Sequence, residues 1–171
     1  MSMMTTGLMS AVRDDWETPP WLFKQLDDEF HFTLDAAAND ENHKCRKYFT
    51  PKDDSLVQNW GGYTVFCNPP YGKQIKKWCR KAYEESLKPD TTVVMLIPAR
   101  TDAAWFHDYI IGKAEIRFIR GRLRFSGATQ NAPFPSMVVV FKKGMANVDK
   151  DGMPDVESRP LPGDTGGAWF Q

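Results

Sequence analysis

The chain has only three cysteines, Cys45, Cys67 and Cys79, and no two of them are spaced as C-x-x-C. An odd, scattered set disfavours both a disulfide framework and a zinc knuckle, so reduced thiols are expected. Three histidines, His31, His43 and His107, are equally dispersed and lack metal-ligand spacing, so no metal is expected. No window approaches the ~18 apolar residues of a membrane span. The first ten residues lack the basic and long apolar regions of a secretory signal, so the expectation is a soluble, intracellular protein with no membrane partner. Charge of one sign is also missing, since 22 Lys and Arg balance 22 Asp and Glu. The balance is uneven along the chain: residues 144–171 hold Asp149, Asp151, Asp155, Glu157 and Asp164 against Lys150 and Arg159, which leaves the rest mildly basic. A mildly basic body is compatible with a polyanionic partner without requiring one.

What is present reads as one folded domain. At 171 residues, with 42% hydrophobic and 26% charged, the chain has ordinary globular usage and length for a continuous core. The expected division is a flexible N-terminal segment at 1–15, a folded domain at 16–143 and a flexible Gly-, Pro- and Asp-rich tail at 144–171. Thr18-Pro19-Pro20 is a helix-start signal, a threonine oxygen to cap and a proline at the first position, so 21–30 should be helical. Short β-rich runs follow at 32–35, 63–67, 92–97, 115–119 and 137–141. Between them, Ile75, Trp78, Cys79, Ala82, Ser86 and Leu87 recur at helical spacing, and 103–111 suggests another helix. Strands alternating with helices predict a three-layer α/β domain with a mostly parallel sheet.

The most informative segment is Val65-Phe66-Cys67-Asn68-Pro69-Pro70-Tyr71, an apolar strand running into an Asn-Pro-Pro-Tyr tetrad. In open α/β sheets ligands bind beyond the carboxyl ends of the strands, where this tetrad falls. Two prolines stiffen the backbone and remove two N–H donors, so the turn presents carbonyl acceptors. Asn68 adds a side-chain acceptor and Tyr71 an aromatic ring. Acceptors beside a ring suit a flat substrate with an exocyclic amine, held by two hydrogen bonds while the ring stacks on it. The amine's lone pair is delocalised, and accepting both its hydrogens favours the pyramidal nitrogen that attacks an electrophile. A base in duplex DNA would first have to be flipped out.

With these residues the chain resembles the amino-group methyltransferases that use S-adenosylmethionine, and most closely the phage-type DNA adenine methyltransferases. The resemblance is carried by Trp16-Glu17-Thr18-Pro19, Leu34-Asp35-Ala36-Ala37-Ala38, Asp54-Ser55-Leu56 with Trp60, the tetrad, and Gly121-Arg122-Leu123-Arg124-Phe125. It implies a Rossmann-like methyltransferase domain and a bacterial or phage-infected cytoplasm. Thr18 and Pro19 would lie near the methionine end of S-adenosylmethionine and Asp35 would mark the methyl-donor motif, with Glu17, Ala36 and Ala37 as further donor contacts. Asp54, or Asp53 one position earlier, would accept from the donor's adenine amine. Asn68 and Pro69 would hold the target amine, Pro70 and Tyr71 would complete the catalytic tetrad, and Tyr71 and Phe125, with Phe134 as second choice, would clamp the target base. The chain departs from the common pattern at 35–39, which lacks glycine, and in the 32 residues between Asp35 and Asn68, which leave little room for a ribose-binding strand and make Glu41 the stand-in carboxylate.

Lys73, Lys76, Lys77 and Arg80 follow the tetrad, and Arg120, Arg122 and Arg124 alternate with Leu123 and Phe125 as on a strand with one basic face. A basic rim around an aromatic pocket is the footprint expected for DNA, with Lys73, Arg122 and Arg124 as contacts. No domain-sized segment is left for target recognition, so a short or relaxed site read from 126–135 is expected, by a chain that can act as a monomer. The alternatives are methylation of a protein glutamine amide, of cytosine N4 or of RNA, and a catalytically silent nucleic-acid-binding module.

Overall fold

The computed structural model describes residues 16–143; the flexible segments expected at 1–15 and 144–171 lie outside the described residues. Helix α1 (Pro20–Phe30) begins at the proline pair, but not as the sequence suggests. Pro19 is the capping residue, its carbonyl accepts from the N–H groups of Leu22 and Phe23, and no side chain caps the turn. The Thr18 hydroxyl, expected to do so, is engaged elsewhere. The helix stops where His31 turns left-handed (φ 57) and donates back to the Asp27 carbonyl. It buries Leu22 and Leu26.

The strands follow as β1 (Leu34–Asp35), β2 (Thr64–Cys67), β3 (Thr92–Pro98), β4 (Glu115–Phe118) and β5 (Ser136–Lys142), with helices α2 (Ile75–Ser86) and α3 (Ala104–Tyr109) between them. They form a five-stranded sheet in the order β1-β2-β3-β5-β4. Strands β1, β2 and β3 pair in parallel, whereas β5 is antiparallel to both β3 and β4. The sheet is therefore mixed rather than mostly parallel in its pairings, although β1 to β4 all share one direction. A buried run such as Met137-Val138-Val139-Val140-Phe141 reads the same in either sense, and its direction is set by the connection before it.

The register shows which helix covers which face. Phe66, Val94 and Val140 are aligned across β2, β3 and β5, and α1 meets that face through Phe23, edge-on to Phe66 at 5.1 Å. Val93 and Phe141 point the other way, and α2 lies there with Tyr83 6.4 Å from Phe141. Strand β4 is tied to α1 by a charge cluster centred on the buried Arg117, which donates to both oxygens of Glu29 at 2.5 and 2.7 Å and to the buried Glu115 at 2.6 Å. Burial alone would lower the guanidinium's pKa, but the two carboxylates raise it, which keeps the charge in place.

Beyond β1 the sheet has only a vestigial neighbour. Asp35 bridges Tyr48, with Asp35 N–H donating to the Lys47 carbonyl and Phe49 N–H to that of Asp35, both at 3.0 Å. The chain thus loops out over 36–46 and returns beside the end of β1.

Candidate active site

Strand β2 ends at Cys67 and hands the chain directly to Asn68. The Asn68 amide nitrogen donates to the backbone carbonyl of Trp16 and, at 2.9 Å, to the Thr18 hydroxyl. A carbonyl can only accept, so this contact fixes which end of the amide is NH₂ and which is oxygen. Both amide hydrogens are spent on the 16–18 segment. Asn68 Oδ1 accepts from the Tyr71 hydroxyl at 2.7 Å and retains a second lone pair.

Tyr71 is more deeply set than a base-stacking ring would be. It is buried, and its hydroxyl lies within reach of both Asn68 Oδ1 and the Leu96 carbonyl at 3.0 Å, with one hydrogen to share. Burial pushes the phenol well above its ordinary pKa, so it stays protonated and remains a donor. Its ring lies edge-on to Phe134 at 5.7 Å and to Phe125 at 6.3 Å, and Trp16 lies 5.2 Å from each of these two phenylalanines. Neither Tyr71 nor Phe125 offers an open face here. Phe134, like Trp16, is only partly buried.

In front of Asn68 opens a cavity of about 680 Å³, within the usual size of a small-molecule site. Its wall includes Glu17, Thr18, Asp35, Ala36, Ala37, Asp54, Asn68, Pro69 and Pro70, which the sequence brought forward, and also Glu41. Pro19, Tyr71, Phe125, Lys73, Arg122 and Arg124 do not line it. Residues that sequence reasoning missed also line it: Lys44, Phe49, Ser55 and Trp78 among them. Of these, Trp78 also packs against the core, 6.3 Å from the buried Trp60. Lys44 stands nine residues after Asp35 in no recognisable motif, and only the folded loop reveals it.

The acidic groups of the wall differ in environment. Asp35 sits at the end of β1, and burial pushes its carboxyl upward against the pull of the N–H groups of Lys44 at 2.9 Å and Ala37 at 3.3 Å. Asp54 adopts the left-handed conformation (φ 52) that Asp tolerates, just before the 3₁₀ turn Ser55–Val57. Its neighbour Asp53 is absorbed locally, accepting from the Thr50 N–H at 2.7 Å and the Thr50 hydroxyl at 3.1 Å. The Ser55 hydroxyl is buried without a hydrogen-bond partner. Carboxylates, an ammonium, aromatic walls and an unspent hydroxyl suit a polar, cationic, ring-bearing ligand, as S-adenosylmethionine is.

Comparison with known sequences identifies the family. The family profile described as DNA N-6-adenine-methyltransferase (Dam) matches residues 5–154. The chain belongs to that family. It is 30% identical over 149 residues to the DNA N-6-adenine-methyltransferase of Haemophilus phage HP1, covering 82% of this chain and 86% of that one. It is 34% identical over 120 residues to the enzyme of the same name from Escherichia phage T1, covering 69% of this chain and half of the T1 protein. Dam-family chemistry calls for a methyl donor of the S-adenosylmethionine type and for DNA.

Around the site the Dam-family chain exposes Lys73, Arg122 and Arg124. Residues 120–126 form no strand, contrary to expectation, yet the alternation persists, with Leu123 and Phe125 buried and the two arginines outside. Among the described residues no cluster of three or more His, Cys, Asp or Glu comes together, and no helix is long and apolar enough to cross a membrane.

Proposed function

We propose that this DNA adenine-N6 methyltransferase takes its methyl group from S-adenosylmethionine bound in the cavity and presents a flipped adenine to it at Asn68-Pro69-Pro70. One observation carries the reading. The Asn68 amide is locked by Trp16 and Thr18 so that its oxygen, with a lone pair to spare, stands at the wall of a cavity of suitable size and chemistry.

The bound donor supplies an electrophilic sulfonium methyl. Asn68 Oδ1 and the Pro69 carbonyl accept the two hydrogens of the target amine, drawing its lone pair out of the ring toward the methyl carbon. With the donor bound, formation of the N–C bond would be matched by loss of the S–C bond, leaving a neutral thioether, and the amine held by Asn68 and Pro69 would release one proton to solvent. No residue needs a tuned pKa for this displacement, whose rate depends chiefly on alignment. Proline at 69 and 70 contributes by leaving no backbone N–H to compete for the carbonyl acceptors.

Asp54 and Ser55 are suited to the donor's adenine, Glu41 to its ribose, and Glu17 and Thr18 to its methionine end, with Asp35, Ala36 and Ala37 between. On the DNA side, Phe134 is better placed than Tyr71 or Phe125 to stack on the flipped base unless the aromatic cluster opens. Lys73, Arg122 and Arg124 are suited to phosphates, and the loop 126–135 to reading a short sequence. Helices on opposite faces of a sheet whose first three strands are parallel support the three-layer, Rossmann-like arrangement of the methyltransferase domain 16–143.

The test is transfer of labelled methyl from S-adenosylmethionine to unmethylated duplex DNA, with nucleosides identified by mass. Label in N6-methyladenosine, lost at least ~100-fold in Asn68→Ala with donor binding intact, is the expected result. Undiminished transfer by Asn68→Ala would overturn the assignment.

A further inference from the structure

The wall of the cavity holds one ion pair that sequence reading did not anticipate. Lys44 Nζ approaches Glu17 Oε1 at 3.3 Å, and both residues line the cavity. Other lysine pairs are tighter, 2.7 Å for Lys24–Asp28, 2.6 Å for Lys81–Glu85 and 2.5 Å for Lys88–Glu85. Glu17 is the only side chain that Lys44 contacts by hydrogen bond among the described residues, so an ammonium with three hydrogens uses one of them, in a long contact. The lysine side chain is only 19% exposed, which makes two unused donors more costly than they would be in water. A loose, half-spent pair facing a cavity is poised to exchange partners.

Both members are anchored by their backbones. Lys44 N–H donates to Asp35 Oδ2 at 2.9 Å, and the Glu17 carbonyl accepts from Ser126 N–H at 2.9 Å. Trp16 and Thr18, on either side of Glu17, both hold Asn68, so the pair belongs to the end of the cavity nearest the reacting amine. Asp54 and Ser55 belong to a different part of the wall, on the 3₁₀ turn.

We propose that Lys44 and Glu17 form the subsite for the amino-acid head of the methyl donor, Lys44 taking its α-carboxylate and Glu17 its α-ammonium. The inference rests on the reading of this cavity as the S-adenosylmethionine site. An α-amino acid carries a negative and a positive group a few bonds apart, and a side-by-side ammonium and carboxylate offer each its complement. Binding exchanges one long contact for two charge-assisted ones. A nucleoside without that head leaves the pair closed on itself.

Calorimetric titration of the full chain with S-adenosylhomocysteine and with 5′-methylthioadenosine, which keeps the adenosine thioether but lacks the amino-acid head, tests this. The wild type should prefer S-adenosylhomocysteine. Lys44→Met should lose about tenfold or more in affinity for it while 5′-methylthioadenosine changes less than about twofold, and Lys44→Arg should keep most of the preference. Glu17→Gln should show the same selective loss. Equal weakening of both ligands would mean that the pair only latches the 16–18 segment to the loop, and an unchanged preference in Lys44→Met would exclude contact with the head; either overturns the proposal. If the wild type binds neither ligand, the cavity assignment itself fails, a result separable from both. Thermal midpoints of the variants identify any that fail to fold.

Discussion

The side-chain amide of Asn68 donates to the hydroxyl of Thr18 at 2.9 Å, joining residues 50 positions apart. The threonine that the local sequence offers as a helix cap serves instead to set the rotamer of the residue at the centre of the site. Thr18→Val keeps shape and removes the acceptor, leaving one amide hydrogen without its partner at a cost of about 1–3 kcal/mol. Single-turnover methylation should fall about tenfold as the amide oxygen loses its alignment. Thr18→Ser should restore most of the rate. Equal rates for Thr18→Val and wild type would show that the Trp16 carbonyl suffices.

Asp53 and Asp54 are neighbours with opposite assignments. Asp54 lines the cavity, so Asp54→Ala should raise the dissociation constant for S-adenosylhomocysteine about tenfold, measured by calorimetry. Asp53→Ala should leave that constant unchanged and act on the loop. The Thr50 N–H, and then its hydroxyl, hold the Asp53 carboxyl below the ordinary carboxylate range. A depressed carboxyl stabilises the fold above its unfolded pKa, and the contribution is lost as pH falls through the lower, folded value. The thermal midpoint of Asp53→Ala should therefore lie below that of the wild type at neutral pH and converge with it in acid.

Much of this architecture was legible because its signals are local. The run at 137–141 announces a buried strand, and the spacing from Ile75 to Leu87 announces the amphipathic helix α2. The tetrad at the end of β2 was legible as a site because the strand before it is unambiguous. Non-local relationships were not. The antiparallel insertion of β5 depends on the path of 119–135, and Thr18 bonds to a residue far along the chain. Tyr71 looks available in sequence, but the fold buries it edge-on to Phe125 and Phe134 and leaves its hydroxyl bonded inward. Lys44 and Arg117 are single charges in ordinary surroundings until the fold brings Glu17, just before α1, to the first and Glu29 of α1 to the second.

Glu85 illustrates how such a buried acid supports the site from behind. It accepts from the Trp60 N–H at 3.1 Å, from Lys81 at 2.6 Å and from Lys88 at 2.5 Å, tying α2 to the turn that carries Asp54 and Ser55. Burial alone would raise its pKa, but these donors outweigh burial and hold it below the ordinary range. Its stabilisation is thus present above the usual carboxylate pKa and lost as pH falls through the folded value. Glu85→Ala strands the buried Trp60 N–H and takes the carboxylate from Lys81, which keeps only the Gln58 carbonyl as acceptor, and should cost about 3 kcal/mol by denaturant unfolding near neutral pH. The deficit should shrink in acid, where the wild-type carboxyl is protonated as well. A deficit independent of pH would mean that packing, not charge, supplies the effect.

Arg122 and Arg124 are exposed, line no part of the cavity and form no ion pair among the described residues, while Leu123 and Phe125 between and beside them are buried. Inward anchors with outward cations make a rigid basic edge, the arrangement suited to holding phosphates in register. Replacing both with Gln should leave the thermal midpoint and S-adenosylhomocysteine affinity unchanged, because neither side chain contributes to the core or the cavity. Binding to duplex DNA should weaken, and the slope of log K against log salt should become shallower by about 0.9 for each phosphate no longer neutralised, or about 1.8 for the pair. Weaker binding with an unchanged slope would point to a reshaped loop. An unchanged affinity would move the DNA-binding edge to Lys73 and the start of α2, where the same titration of Lys73→Gln would decide.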